Sequence, residues 1–256
     1  MTPDIPWYIT AVVLTIDAAI VTAVWSILSR AAARSGLPPA GQRAVRTGAA
    51  AFLGVWLGGL LLLAPAPATL EGRDPFTITP LIPLALALPL AGVALALAAS
   101  ASFRRTLAAV TVPALVGVQA YRIIGAVFLV LYAQGRIAGH FALPAGWGDV
   151  AVGLTAPLVA LALARGVAGS RALAVSWIAF SLLDLAVAVG MGTGFLAPLL
   201  APELGPRVAP VAAMGVFPLI MVPAFAVPIS VMLHLAALVK LLGEARLARR
   251  VMPQTL

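Results

Sequence analysis

Residues 119–149 read QAYRIIGAVFLVLYAQGRIAGHFALPAGWGD, an arginine inside an apolar helix followed by a stretch rich in glycine. An apolar run of this length reads as a membrane span. An arginine within a span faces protein or a wet cavity rather than lipid. The stretch therefore predicts a polytopic membrane bundle with a polar interior, and the rest of the chain is placed relative to it.

Hydrophobic residues make up 62% of the 256 residues and charged ones 9%, with a mean hydropathy of +1.10, outside the range of soluble domains. The formal charge of +8 comes from arginines in short connections between apolar segments, a topology pattern rather than a nucleic-acid footprint. The expected solvent is a lipid bilayer, with no nucleic-acid partner. The absence of cysteine excludes disulfides, thiolate metal sites, Fe–S clusters and a thiol nucleophile. Asp4 is the sole charged side chain before the first apolar run, so the basic start of a cleavable signal is missing and the first segment is expected to stay as a span.

The expected fold class is all-α, a polytopic transmembrane helix bundle forming one domain over residues 1–256. Its seven spans lie near 6–29, 45–65, 81–102, 112–133, 147–164, 172–194 and 217–242. The fifth is short and the third carries Pro83 and Pro89, so a broken or re-entrant helix is expected at either place. The connections near 30–46, 66–80 and 195–210 are too short for a core of their own. The last of them, rich in Ala, Leu and Pro, is expected to lie along the outer interface.

Twelve of the sixteen Lys and Arg residues fall in alternate connections and the tail, namely Arg30, Arg34, Arg43, Arg46, Arg104, Arg105, Arg165, Arg171, Lys240, Arg246, Arg249 and Arg250. The opposite connections hold Arg73, Arg136 and Arg207, while Arg122 is inside a span. Positive residues stay on the cytoplasmic side, which sets the N-terminus outside and the C-terminus inside. Trp7, Tyr8, Trp25 and Trp147 fall at boundaries that suit interfacial aromatics.

Asp17, Arg122 and Asp184 each lie near the middle of a span. A charge there costs about 2.5–3.5 kcal/mol on insertion scales, so the three are expected to face one another or a wet cavity. Gln119, Arg122, Gly125, Leu129 and Tyr132 share one helical face, as do Phe180, Ser181, Asp184, Ala188 and Met191. Gly125 leaves room for another backbone beside the guanidinium, whose fork can hold a carboxylate from Asp184 or from Asp17. Two meanings stay open for the cluster. It is an ion pair that fixes register, or a site for a proton, an ion or a small polar ligand.

The glycine- and proline-containing stretch up to Asp149 reads as a packed loop over the outer mouth, with His140 and Asp149 facing the entrance. Its glycines near 146 and 148 could form an anion nest, although GWGD matches no phosphate-loop pattern. In the last span Pro223 and Pro228 free the carbonyls of Leu219 and Ala224, so a kink or broken turn is expected. His234 has Ser230 one turn before it and reads as an interhelical hydrogen bonder rather than a metal ligand. His140 and His234 lie too far apart in depth for bis-histidine haem ligation, and no cofactor is expected.

QAYRIIGAVFLVLYAQG, HFALPAGWGDVAVGLTAP, SLLDLAVAVGMG and FPLIMVPAFAVPISVMLHLAAL together resemble an uncharacterised family of bacterial polytopic membrane proteins. The likeness runs from about Gln119 to Leu238 and does not draw on the first three spans. It implies a multi-pass protein of the bacterial inner membrane, implies no substrate, and marks Arg122, Asp149, Asp184 and His234 as family-pattern positions.

Three functions are compatible with these readings, and an enzymatic role is left open. The first is a small permease, channel or ligand-binding protein using Asp17, Gln119, Arg122 and Asp184. The second is a membrane-embedded metal or acid–base enzyme built on His140 and Asp149, or on His234; Ser230 is a further candidate ligand-binding residue. The third is an assembly subunit or homo-oligomer in which the small-xxx-small pattern Gly54 to Gly58 allows close helix contact.

Overall fold

A long apolar segment satisfies its own backbone as a helix, the arrangement that hydrocarbon requires. The computed structural model describes residues 5–251, of which residues 70 and 244–251 are described by backbone alone. Asp4 and the side chains of Arg246, Arg249 and Arg250, used above, lie outside the described residues. The helices are α1 (Trp7–Arg34), α2 (Pro39–Leu63), α3 (Leu81–Ala99), α4 (Ala101–Ala109), α5 (Val112–Gly117), α6 (Ala126–Ala133), α7 (Gly139–Ala164), α8 (Ser170–Gly192), α9 (Ala197–Leu200) and α10 (Val227–Val251). A 3-10 stretch, Val118–Gly125, joins α5 to α6, and a π-helical turn, Val222–Ala226, leads into α10. Among the described residues there is no strand.

Seven helices are long and apolar enough to cross a membrane: α1, α2, α3, the composite Val112–Ala133, α7, α8 and the composite Val222–Gly243. The two composites form the centre. Of their most apolar windows 56% and 61% of residues are buried, against 17% in each of α1, α2 and α3. The outward faces are apolar, as Leu62, Val55 and Phe195 illustrate, which suits contact with lipid.

At one end of the bundle Gln134 Nε2 donates to Tyr8 Oη at 2.6 Å, and the Phe217 amide donates to the Pro65 carbonyl at 2.9 Å. At the other end Lys240 Nζ donates to the carbonyls of Leu107 and Ala108 at 3.1 and 2.8 Å. Between α3 and α4 the Ser100 hydroxyl caps the new helix by accepting from the Phe103 amide at 3.1 Å.

Four expectations are corrected by the structure. The third segment is an unbroken helix despite Pro89, and the fifth is a 26-residue helix rather than a short one. The irregular backbone lies instead in the fourth segment, as the 3-10 stretch, and in the last, where the π-helical turn at Pro223 is the broken turn expected there; neighbouring protein groups can satisfy it in both. The stretch from residue 139 to 149 is also helix, not a loop over a mouth. Its glycines are used for close approach: a Cβ on Gly148 would run into the Asp184 carboxylate, and one on Gly125 into Asp149. Because the amides of Gly146 and Gly148 lie inside a helix, they form no anion nest.

The shared face expected on the fourth span holds only in its first half. In a 3-10 helix residues three apart align, so Gln119, Arg122 and Gly125 are stacked and all buried. The tighter winding, about 20° more per residue than an α-helix, then shifts the phase, and Tyr132 ends up exposed. On α8, Ser181, Asp184 and Met191 are buried while Phe180 is exposed at the edge of the face. A Cβ added to Gly54 or Gly58 would meet nothing within 4 Å beyond its own stretch of helix, so among the described residues these two glycines serve no close helix contact.

Candidate functional site

The 3-10 stretch delivers Arg122 into the centre of the bundle, 2% exposed. Its Nε donates to Asp149 Oδ1 at 2.7 Å, and Nη2 lies 2.6 Å from the same oxygen. Nη2 also donates to Asp184 Oδ2, and Nη1 to the hydroxyl and carbonyl of Ser181. One guanidinium thus holds two carboxylates, from α7 and α8, the forked recognition that arginine geometry favours. The Ser181 hydroxyl, accepting from Arg122, has its own proton to offer His234 Nε2 at 2.7 Å. The imidazole packs beside the Trp177 indole with ring centroids 5.3 Å apart.

A second polar layer ties the two central helices together. Tyr121 Oη lies 2.5 Å from Ser230 Oγ and donates to the Ala226 carbonyl at 3.0 Å. Ser230 Oγ donates to Gln119 Oε1 at 3.1 Å, and Gln119 Nε2 donates to the Ser230 carbonyl at 3.2 Å. The irregular turns of both helices therefore meet side chain to backbone. The carbonyls that accept these bonds are Ala226 and Ser230; the Leu219 carbonyl, expected to be freed by Pro223, accepts from the Val222 amide at 3.1 Å. Ser230 serves this layer, and Ser181 is the hydroxyl partner of His234.

Asp17 does not join Arg122. It is 1% exposed on the face that α1 turns inward with Val13 and Ile20, and neither carboxyl oxygen has a hydrogen-bond partner among the described residues. A buried polar group without partners costs about 1–3 kcal/mol. Asp17→Leu is accordingly expected to raise stability by about 1–3 kcal/mol, read as a higher unfolding midpoint in detergent. An unchanged or lower midpoint would mean that the Asp17 carboxyl is hydrogen-bonded in the folded protein.

His140 and Asp149 do not face one entrance together. They are nine residues apart on α7, which is about 14 Å along the axis and about half a turn around it. His140 Nε2 has no hydrogen-bond partner among the described residues. Among those residues no three His, Cys, Asp or Glu side chains cluster as a metal ion would need.

A cavity of about 270 Å³ reaches from the connection at Arg73, Asp74 and Thr77 down to Asp149. Phe128, Phe141, Leu185, Val189 and Val222 are among its walls, and Gly192, Thr193, Val211 and Gly215 frame its upper part. The frame is fixed by Thr79 Oγ1 donating to the Gly215 carbonyl at 3.2 Å and by the Val211 amide donating to the Gly192 carbonyl at 2.8 Å. Arg207 stacks over the Phe76 ring, 4.6 Å from its centroid. The cavity escaped the sequence reading, because its walls come from five separate stretches of chain.

A profile of a domain of unknown function, DUF8737, matches residues 79–242. The chain belongs to that family. No curated protein and no solved structure matches it. The matched region begins just before α3, so the third span belongs to the family unit, correcting the narrower likeness drawn from the sequence. Arg122, Asp149, Ser181, Asp184 and His234 all fall within the matched region, whereas Asp17 on α1 falls outside it.

Proposed function

We propose that this family member is a multi-pass protein of the bacterial inner membrane, with seven spans in one domain, its N-terminus outside and its C-terminus cytoplasmic. It acts as a small permease or ligand-binding protein whose site is the cavity that ends on Asp149. The observation that carries this reading is the continuity of the cavity from the 73–77 connection to a buried charged cluster. Pockets that bind small molecules are mostly apolar with a few placed polar groups, and this one has that character. Support also comes from the irregular turns in the two central helices, since 3-10 stretches inside helices and π turns recur at hinges and functional sites. Discontinuous helices meeting near the midplane form ligand sites in many transporters.

A second reading has its own observation. All three guanidinium nitrogens of Arg122 are occupied by protein groups, which suits an ion cluster that fixes helix register within an assembly subunit.

The two readings part on water. The native chain has no cysteine, so single cysteines report access cleanly. A neutral, membrane-impermeant maleimide added outside is expected to label Ala188→Cys and Thr193→Cys on the cavity wall. Leu158→Cys, on a face 66% exposed where lipid is expected, is expected to stay unlabelled. Inert Ala188→Cys and Thr193→Cys would favour the structural reading, and labelling from the cytoplasmic side alone would reverse the proposed orientation.

A further inference from the structure

We propose that the ligand of this cavity is a small organic cation, a quaternary or protonated amine on an apolar body. The proposal rests on the ligand-binding reading above and names the class of ligand.

The charge balance around Arg122 comes first. Two carboxylates share one guanidinium, so when both are ionised the cluster carries one unmatched negative charge. Asp149 Oδ1 takes both contacts from Arg122, and Oδ2 takes no hydrogen bond from the described residues. The cavity wall includes Asp149 but neither Arg122 nor Asp184. A molecule entering it therefore meets a carboxylate at the buried end, with the guanidinium hidden behind. An anion would meet the wrong sign of charge there, and a cation would complete the cluster.

The walls then select among cations. Phe128 and Phe141 line the same cavity with their rings edge to face, centroids 5.2 Å apart at 61°. Aromatic faces attract cations through the ring quadrupole, and quaternary ammonium groups are recognised in this way. A bare calcium or magnesium ion needs about six or more oxygen ligands, whereas Asp149 shares the cavity wall with apolar side chains such as Leu185, Val189, Val222 and Val227. Those side chains cannot replace a hydration shell. They suit an apolar body attached to the charged head.

The test uses the full chain in lipid nanodiscs, carrying Ala188→Cys, with the rate of neutral maleimide labelling as readout. Benzyltrimethylammonium is expected to slow labelling at least tenfold, while its neutral isostere 2,2-dimethylpropylbenzene and the anion phenylacetate change the rate less than twofold. Adding Asp149→Asn is expected to abolish the protection. Phe141→Leu, which keeps the charged cluster intact, is expected to weaken protection by the cation about threefold. Equal protection by the neutral isostere would overturn the cation assignment and leave the cavity as a ligand site. Free labelling with no protection by any compound would also overturn it. Failure of the maleimide to enter would instead defeat the ligand-binding reading beneath. Should Asp149→Asn fail to fold, an unchanged cation affinity in Phe141→Leu would still count against the proposal.

Discussion

Arg122→Met is expected to lower the stability of the protein by about 3–5 kcal/mol, because it leaves two buried carboxylates facing each other without their shared cation. The Asp149 and Asp184 side chains are both largely buried, and water, which reaches them only by way of the cavity at Asp149, carries no charge with which to replace the guanidinium. Adding Asp149→Asn and Asp184→Asn to Arg122→Met is expected to recover most of that loss, since removing a whole buried ion cluster is often neutral while breaking it is not. Denaturant-driven unfolding in mixed micelles, followed by tryptophan fluorescence, measures both. A wild-type midpoint for Arg122→Met would refute the cluster, and so would a triple variant no more stable than the single one.

The second large effect concerns two identical substitutions with opposite signs. Gly153 on α7 faces the backbone of the 3-10 stretch so closely that an added Cβ would meet the Ile123 nitrogen and the Arg122 carbonyl carbon. Backbone atoms cannot rotate aside as a side chain can. Gly153→Ala is therefore expected to cost about 1–3 kcal/mol as overpacking, and to move Arg122 away from Asp149. Gly54 on α2 meets nothing within 4 Å, so Gly54→Ala is expected to be stabilising by up to about 1 kcal/mol through helix propensity. The same unfolding assay compares them. If Gly153→Ala is no less stable than the parent, α7 does not pack on the 3-10 stretch as described; a destabilised Gly54→Ala would instead mean that α2 is covered at that position.

These two tests rest on features that differed in how far they could be read beforehand. Seven apolar segments follow from composition and length alone, because each is a local property of about 20 residues. Arg122 and Asp184 stand out for the same reason, as charges inside apolar runs. Asp149 was harder to place. Its neighbours Gly146, Trp147, Gly148 and Pro144 look like loop residues, yet Ala142, Ala145, Gly146, Asp149, Val152, Gly153 and Ala156 are all buried on α7. That spacing is helical, and reading it as a stripe of small residues would have carried the helix back to Gly139. The glycines serve contact with the fourth span and α8, which local propensity does not register.

The chain by itself determined the class of molecule, since 62% hydrophobic composition with charges confined to connections and a few midspan positions leaves a helical membrane bundle as the solution that satisfies the backbone. It also named Arg122 as the residue to explain. Only the tertiary structure decided which acids answer it. Partner choice depends on where the 3-10 winding turns the arginine and on how closely the glycines let α7 and α8 approach. Both are relations between segments 27 and 62 positions apart in sequence. The same dependence left Asp17 without a hydrogen-bond partner among the described residues and opened the cavity beside Asp149, because the space among helices is a property of their packing, not of any one of them.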